Sequence, residues 1–324
     1  MRLLAALLLL LPVAVQAQFN FTTNNGTITI TKYTGSGGAV VIPSTTNGWP
    51  VTCIGDYAFT SCSGLTKVTI PDTVTSIGFE AFAWCNSLTS IRIPDSVTSI
   101  KDQAFLGSGL TNVTIPDSVK SIGEQVFESC FSLTNVMIGN GVTSINYEMF
   151  RDCYHLANVT IPNSVRSIQD DAFGYCISLT NITIPASVTG IGSIAFYYCV
   201  GLAGVFFTGN SPGADSTMFW HADNAIVYYL PETTNWDSTF ADHPTVLWNL
   251  QVQISDATFG VQTNRFGFTI TGTTNIPIVL EACTDLANTT WVPLQSCALT
   301  NGSLYFSDPQ WTNYPRRFYH LRWP

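Results

Sequence analysis

The sequence predicts a β-rich repeat solenoid, a parallel sheet wound in 22–23-residue coils, followed by a small all-β antiparallel sandwich. Three observations carry this expectation. Ile-Pro pairs begin at Ile70, Ile93, Ile115, Ile161 and Ile184, with Ile138-Gly139 in the same place, at steps of 23, 22, 23, 23 and 23 residues. Self-similarity at that period marks stacked coils, each of which buries its apolar face only against its neighbours. Charged residues make up 10% of the chain while Thr, Ser and Asn abound, which suits a β-rich protein and argues against disorder or a coiled coil. From Leu250 the period disappears, and short apolar runs follow, punctuated by Gly, Asn, Asp and Pro.

Taken in order, the chain opens MRLLAALLLLLPVAVQA, with Arg2 before an apolar run from Leu3 to Leu11 and small residues up to Ala17. This order of charge, apolar core and small residues predicts a secretory leader over 1–17, too short to span a bilayer, and a mature chain starting near Gln18. Residues 18–41 contain alternating apolar positions on either side of Asn25-Gly26, a type I′ hairpin signal, and are expected to cap the exposed first coil. Repeats are expected over 42–205, with the first copy enlarged by an insertion around Asn47-Gly48-Trp49-Pro50. Residues 206–249 are expected to form a cap of degenerate repeats, and 250–324 the sandwich. Strands of the sandwich are expected at 251–254, 266–270, 276–281, 291–294, 304–306 and 318–321.

Within a repeat, L-x-x-V-x-I alternates like a strand and matches the leucine-rich template, and the following Pro ends the ladder because it lacks an amide donor. V-x-x-I and A-F then carry the chain around the far side, through an expected second short strand and one helical turn. In the coil starting at Ile70 the inward set is Ile70, Val74, Ile77, Ala81, Phe82, Cys85, Leu88 and Ile91. The copy through Leu106-Gly107-Ser108-Gly109-Leu110 is one residue short where a cysteine should stand.

The full string I-P-x-S-V-T-x-I-G-x-x-A-F-x-x-C resembles the BspA-like leucine-rich repeat of bacterial surface and secreted proteins. The resemblance covers roughly half the chain and implies a right-handed leucine-rich solenoid and adhesion to host or matrix proteins. It brings no shared catalytic residues. In the last 75 or so residues, LEACTDLANTTWVPL resembles tails that follow such repeats in large secreted proteins of environmental bacteria, which implies a folded accessory module.

Little in the sequence points to catalysis. Cys62, Cys85, Cys130, Cys153, Cys176 and Cys199 share one repeat position, with no C-x-x-C or neighbouring His to complete a metal site. On adjacent coils their Cβ vectors would run parallel, so buried free thiols are expected rather than bridges. Cys53, beside the insertion, has no assignment. Cys283 and Cys297 sit on neighbouring expected strands around a turn at Ala287-Asn288, and a disulfide between them is expected. His155, His221, His243 and His320 are scattered, and no G-x-S-x-G elbow or phosphate-binding glycine motif accompanies them. Neither an enzyme nor a cofactor or metal is expected.

The surface columns are the remaining candidates. On the sheet face, Thr89, Ser90, Arg92, Thr111, Asn112, Thr134, Asn135, Asn158 and Asn181 form a polar platform suited to a protein or glycan partner. The competing reading is a Thr and Asn ladder that merely stabilises stacked strands. On the opposite side, Trp84, Tyr175, Tyr197 and Tyr198 are the aromatic contact candidates. Twelve basic residues against 21 acidic ones, a net charge of −9, exclude nucleic acid and anionic membrane as partners. The expected function is that of a monomeric, exported, non-catalytic recognition or adhesion protein. A structural spacer, or a glycan-binding accessory of carbohydrate-active machinery, is the alternative.

Overall fold

A computed structural model describes residues 18–274, 277–287 and 290–322. The expected leader, the first residue of the strand expected at 276–281, and Asn288 of the expected turn lie outside the described residues. The chain forms two compact units, one running to Val227 and including Thr234–Thr245, the other made of Tyr228–Thr233 and the chain from Val246 onward.

In the first unit the repeats stack as two columns of parallel strands. The L-x-x-V-x-I segments form Leu65–Thr69, Ser90–Arg92, Asn112–Ile115, Asn135–Ile138, Asn158–Thr160, Asn181–Ile184 and Gly204–Phe207. Their register equates repeat positions, pairing Asn112 with Asn135, Asn135 with Asn158, and Asn181 with Gly204. The second column is made of two-residue strands such as Ser76–Ile77 and Ser99–Ile100, also in register. A closely stacked glycine follows some of these strands: a Cβ on Gly78 would stand 2.5 Å from the carbonyl carbon of Gly55, whereas Lys101, Asn146 and Gln169 take the same place in other coils.

The N-terminal hairpin forms as its turn signal demands. Phe19–Asn24 pairs antiparallel with Thr27–Tyr33, and Asn25 and Gly26 take φ of 47° and 79°. Thr27–Tyr33 then lies parallel to Trp49–Ile54, so the hairpin supplies the end strands of the second column. The insertion in the first copy folds back as its own hairpin, Thr45–Thr46 on Trp49–Ile54, around Asn47 and Gly48, which both have positive φ.

A stack of phenyl rings runs through the core. Phe59, Phe82, Phe105, Phe127, Phe150, Phe173, Phe196 and Phe219 lie one per coil, with successive centroids 4.8–5.7 Å apart, and all are buried. Phe219 extends the stack one coil into the stretch expected to be degenerate. Of the inward set of the coil starting at Ile70, only Ile91 is half-buried, and the rest are buried.

The repeat cysteines are free, and the structure shows why the position favours a thiol. From Cys85 onward each Sγ reaches the carbonyl of an earlier coil's phenylalanine: Cys85 to Phe59 at 3.1 Å, Cys153 to Phe127 at 3.2 Å, and Cys199 to Phe173 at 3.0 Å. A small apolar group with a weak donor fills the site and adds a second donor to a carbonyl that already closes a turn within its own coil, as Phe59 O does with Cys62 N–H at 3.1 Å. Burial pushes the Cys85, Cys130 and Cys199 thiols up to about 12. In the short copy Ser108 takes the cysteine's place, buried, with its Oγ 3.3 Å from Cys130 Sγ.

Two expectations fail. The A-F segment is not a helical turn. Glu80 and Trp84 have φ of 47° and 59°, and the same two columns are left-handed in the other coils, including Gln125 and Ser129, Glu148 and Asp152, and Ile194 and Tyr198. These flips turn alternate amides outward: Phe82 N–H donates to Ala104 O at 2.8 Å and Trp84 N–H to Leu106 O at 2.7 Å, in the next coil. Intervening amides close three-residue turns within the coil, as Ala83 N–H does on Glu80 O. A helix would direct all of these donors along its own axis and leave the next coil's carbonyls unpaired.

The second failure lies in the second unit, which is a two-sheet antiparallel sandwich. One sheet centres on Arg265–Gly272, with Leu250–Gln253 and Gly260–Gln262 on one side and Ser303–Asp308 on the other. Its partner sheet places Pro277–Cys283 between Val292–Ala298 and Phe318–Arg322. Phe268, Ile270, Ile278, Leu280, Leu299 and Phe306 fill the core. Cys283 and Cys297 do sit on paired strands, but Cys297 faces Ile278, and Cys283 faces Phe318. Five residues of strand separate them, about 17 Å, against a bridging limit of about 7 Å between Cα atoms. Both thiols are free, which corrects the expected disulfide.

Alkylation of the unfolded chain without reductant is expected to label all nine cysteines, whereas native protein should leave Cys85, Cys130, Cys153, Cys176 and Cys199 unmodified. A mass shift for any unlabelled cysteine pair would contradict the register. Ile194 is β-branched at φ of 49°, a costly conformation. Ile194→Asn is expected to stabilise the first unit by about 1 kcal/mol, read from the urea midpoint, and a lower midpoint would contradict the strain.

Candidate sheet-face groove and aromatic cluster

The candidate binding groove follows from what Pro does to each coil. Where Ile-Pro or Ile-Gly ends the strand, the chain turns away, and the residue after it projects beside the strand ends. Four consecutive copies place Asp95, Asp117, Asn140 and Asn163 in that row, next to Arg92, Thr114, Met137 and Thr160 on the strands. Between the rows runs a groove of about 920 Å³. Asp117 Oδ1 accepts from Asn140 N–H at 2.6 Å and from its Nδ2 at 3.3 Å, which fixes the turn row from one coil to the next. Arg92 Nη1 lies 3.3 Å from Asp72 Oδ1, both exposed, so the pair holds little energy and the guanidinium can change partners.

Of the residues expected on the sheet face, the groove takes in Arg92 and Asn112. Thr89, Ser90, Thr134, Asn135 and Asn158 are exposed beside it, while Thr111 and Asn181 are half-buried. The hydroxyl column serves the fold: Thr111 Oγ1 donates to Thr89 O at 3.2 Å and Thr134 Oγ1 to Thr111 O at 2.9 Å. Asn112 and Asn181 each donate Nδ2 to the preceding threonine's Oγ1, at 3.1 and 3.2 Å. Asn135 and Asn158 make no such side-chain bond among the described residues. At the C-terminal end of the face Phe206 is buried.

The row after the Pro went unrecognised in the sequence although its signal was there: an Asp or Asn follows five successive Ile-Pro or Ile-Gly pairs, from Asp72 to Asn163. With Asp95 and Asp117 lining it, and Arg92 paired with Asp72, the groove is acidic, and Met137, 53% exposed, supplies an apolar contact.

On the opposite side the structure splits the expected aromatic set. Trp84 lies four coils from Tyr175, about 19 Å at the strand spacing, and covers Gly107, where a Cβ would come within 2.4 Å of its ring. Tyr175, Tyr197 and Tyr198 do cluster, with centroids 5.1–5.6 Å apart. The next coil adds Trp220 and His221, stacked on each other at 5.6 Å, and Arg151 lies 5.3 Å over the Tyr175 ring. Trp220 and His221 occupy the A-F-x-x positions of a copy that has lost its Ala and Cys, which hid them in the sequence.

Among the described residues no group of three or more His, Cys, Asp or Glu side chains could hold a metal ion, and no helix is long and apolar enough to cross a membrane.

The model of the BspA type leucine rich repeat region matches the chain in six copies, over residues 52–179 and 144–255. A solved structure of the Treponema pallidum leucine rich repeat protein is similar, at 34% identity and a TM-score of 0.53, over 57% of this chain and 88% of that one. A leucine-rich repeat protein from Bacteroides ovatus shares 26% identity over 65% of this chain and 69% of that one, with a TM-score of 0.48. No curated protein matches the chain.

Substituting Asn135 or Asn158 by Ala is expected to change stability by less than about 0.5 kcal/mol, because neither amide is engaged. Thr134→Ala is expected to cost about 1 kcal/mol, the worth of its inter-coil hydrogen bond. Equal costs in urea unfolding would mean that the Asn column is structural.

Proposed function

The chain belongs to the BspA-type leucine-rich repeat family, and on that basis we propose that it is an exported, non-catalytic recognition protein. It binds an extracellular protein or glycan through the sheet-face groove. The groove itself carries this reading: about 920 Å³ of open space across four coils, edged by carboxylates and amides with Met137 also lining it. A stack held together only by its own ladders has no need of an acidic row beside an exposed methionine. The excess of Asp over Arg favours a basic protein segment or an uncharged, hydroxyl-rich glycan over an acidic partner. Asn135 and Asn158 extend the same face with unengaged amides, and the free donors and acceptors suit either partner. The secretory leader expected at 1–17 is what supports export.

The test is binding of the full chain to an array of glycans and extracellular-matrix proteins. Met137→Asp, and Asn135→Ala with Asn158→Ala, are expected to weaken the strongest signal at least tenfold, or about 1.4 kcal/mol. Tyr198→Ala is expected to leave it unchanged. Loss only with Tyr198→Ala would move the contact to the aromatic cluster, and silence of the whole array would leave the spacer role.

A further inference from the structure

We propose that the C-terminal sandwich holds a binding site for a small apolar molecule carrying one uncharged oxygen acceptor, such as the carbonyl of an aromatic ester. A pocket of about 500 Å³ opens within the second unit, walled by Phe259, Phe266, Leu280, Leu286, Trp291 and Tyr319. Its size falls in the ordinary range of small-molecule sites, and so does its make-up of mainly apolar walls with few polar groups. Phe259 and Leu286 are 43% and 54% exposed at its rim, an arrangement that a folding core alone does not require.

Arg317 is the polar group that selects the ligand. It lines the pocket, yet its side chain is only 9% exposed. Nε pairs with Asp308 Oδ2 at 3.1 Å, and the guanidinium lies 4.3 Å from the Tyr314 ring centre. Nη1 is buried and has no hydrogen-bond partner among the described residues. A donor on a charged group left in that state is costly, and an oxygen brought in by a ligand would satisfy it.

The charge state of the ligand follows from the neighbours. Asp308 already neutralises Arg317 and is itself saturated: Tyr319 Oη donates to Oδ2 at 2.9 Å and Gln310 N–H to Oδ1 at 2.8 Å. Besides Arg317 and Tyr319, the one ionisable side chain lining the pocket is His320, which stands 3.7 Å from Glu281 on the paired strand. A carboxylate entering the pocket would therefore add a negative charge beside Asp308 in a poorly solvated site, where Arg317, the one Arg or Lys lining it, is already paired. A neutral acceptor carries no such penalty. Sugars fit poorly, because their many hydroxyls would meet apolar walls.

The site is tested on the full chain by calorimetric titration with methyl cinnamate, cinnamate, β-methylstyrene and methyl glucoside. Methyl cinnamate is expected to bind at least about tenfold more tightly than the hydrocarbon, which lacks the acceptor, and than the acid, which adds the charge. Trp291→Ala, which leaves the ion pair intact, is expected to weaken the ester several-fold. Arg317→Lys should bring the ester down to the hydrocarbon's affinity. Should that variant fail to fold, the ester–hydrocarbon difference in the native chain carries the test. The proposal is overturned if the ester shows no binding up to its solubility limit. Equal binding of ester and acid, equal binding of ester and hydrocarbon, or preference for the glucoside would each overturn it as well.

Discussion

The distance between coils is the constraint on which the first unit depends. Parallel strands hydrogen-bonded across the stack set a repeat near 4.8 Å, and every other recurring feature has to meet it. The phenyl rings meet it by stacking at 4.8–5.7 Å, one per coil. Gly78 meets it by having no side chain where a Cβ would stand 2.5 Å from the neighbouring backbone. The cysteines meet it with an atom small enough to fit and polar enough to bond a carbonyl one coil back. No coil closes its own core, so each of these contacts acts between coils, and the two ends of the stack need strands from outside the repeat.

The same spacing explains the price of the turns. Carrying the chain around in a few residues while still sending amides to the next coil requires left-handed backbone at two positions per coil. These positions are filled by Glu, Gln, Ser, Asp, Trp and Tyr as readily as by Gly. Strain of this kind is tolerated because the inter-coil hydrogen bonds over-determine the conformation. It also shapes the surface, since the left-handed residue before each cysteine position, Trp84, Tyr175, Tyr198 or His221, is held where aromatic side chains can gather on one side.

The two surfaces of the first unit therefore have different origins. Thr111 and Thr134 show how far the sheet face is committed to holding itself together, since their hydroxyls bond the preceding coil. Asn135, Asn158 and Met137 have no such duty, and the groove beside them is a by-product of the Ile-Pro turn that the Asp and Asn row has filled with charge and amides. The sandwich has a polar interior feature of its own in Asp308, Arg317 and Tyr319, where a single aspartate collects bonds from an arginine, a tyrosine and a backbone amide.

The repeat spacing by itself determined the solenoid, the inward row from Val74 to Leu88, the N-terminal hairpin at Asn25-Gly26 and the free state of the repeat cysteines. All of these follow from local periodicity and from one residue type recurring at one position, which a single chain displays directly. Tertiary structure alone decided the rest. The left-handed turns arise from hydrogen bonds between residues 22–23 positions apart, which no local propensity reports. The separation of Cys283 from Cys297 depends on strand register, which spacing in the sequence leaves free. The groove, the Trp220–His221 extension of the aromatic cluster and the unpartnered Arg317 nitrogen exist only where side chains from distant coils or facing sheets meet, because space and missing partners are properties of packing rather than of sequence.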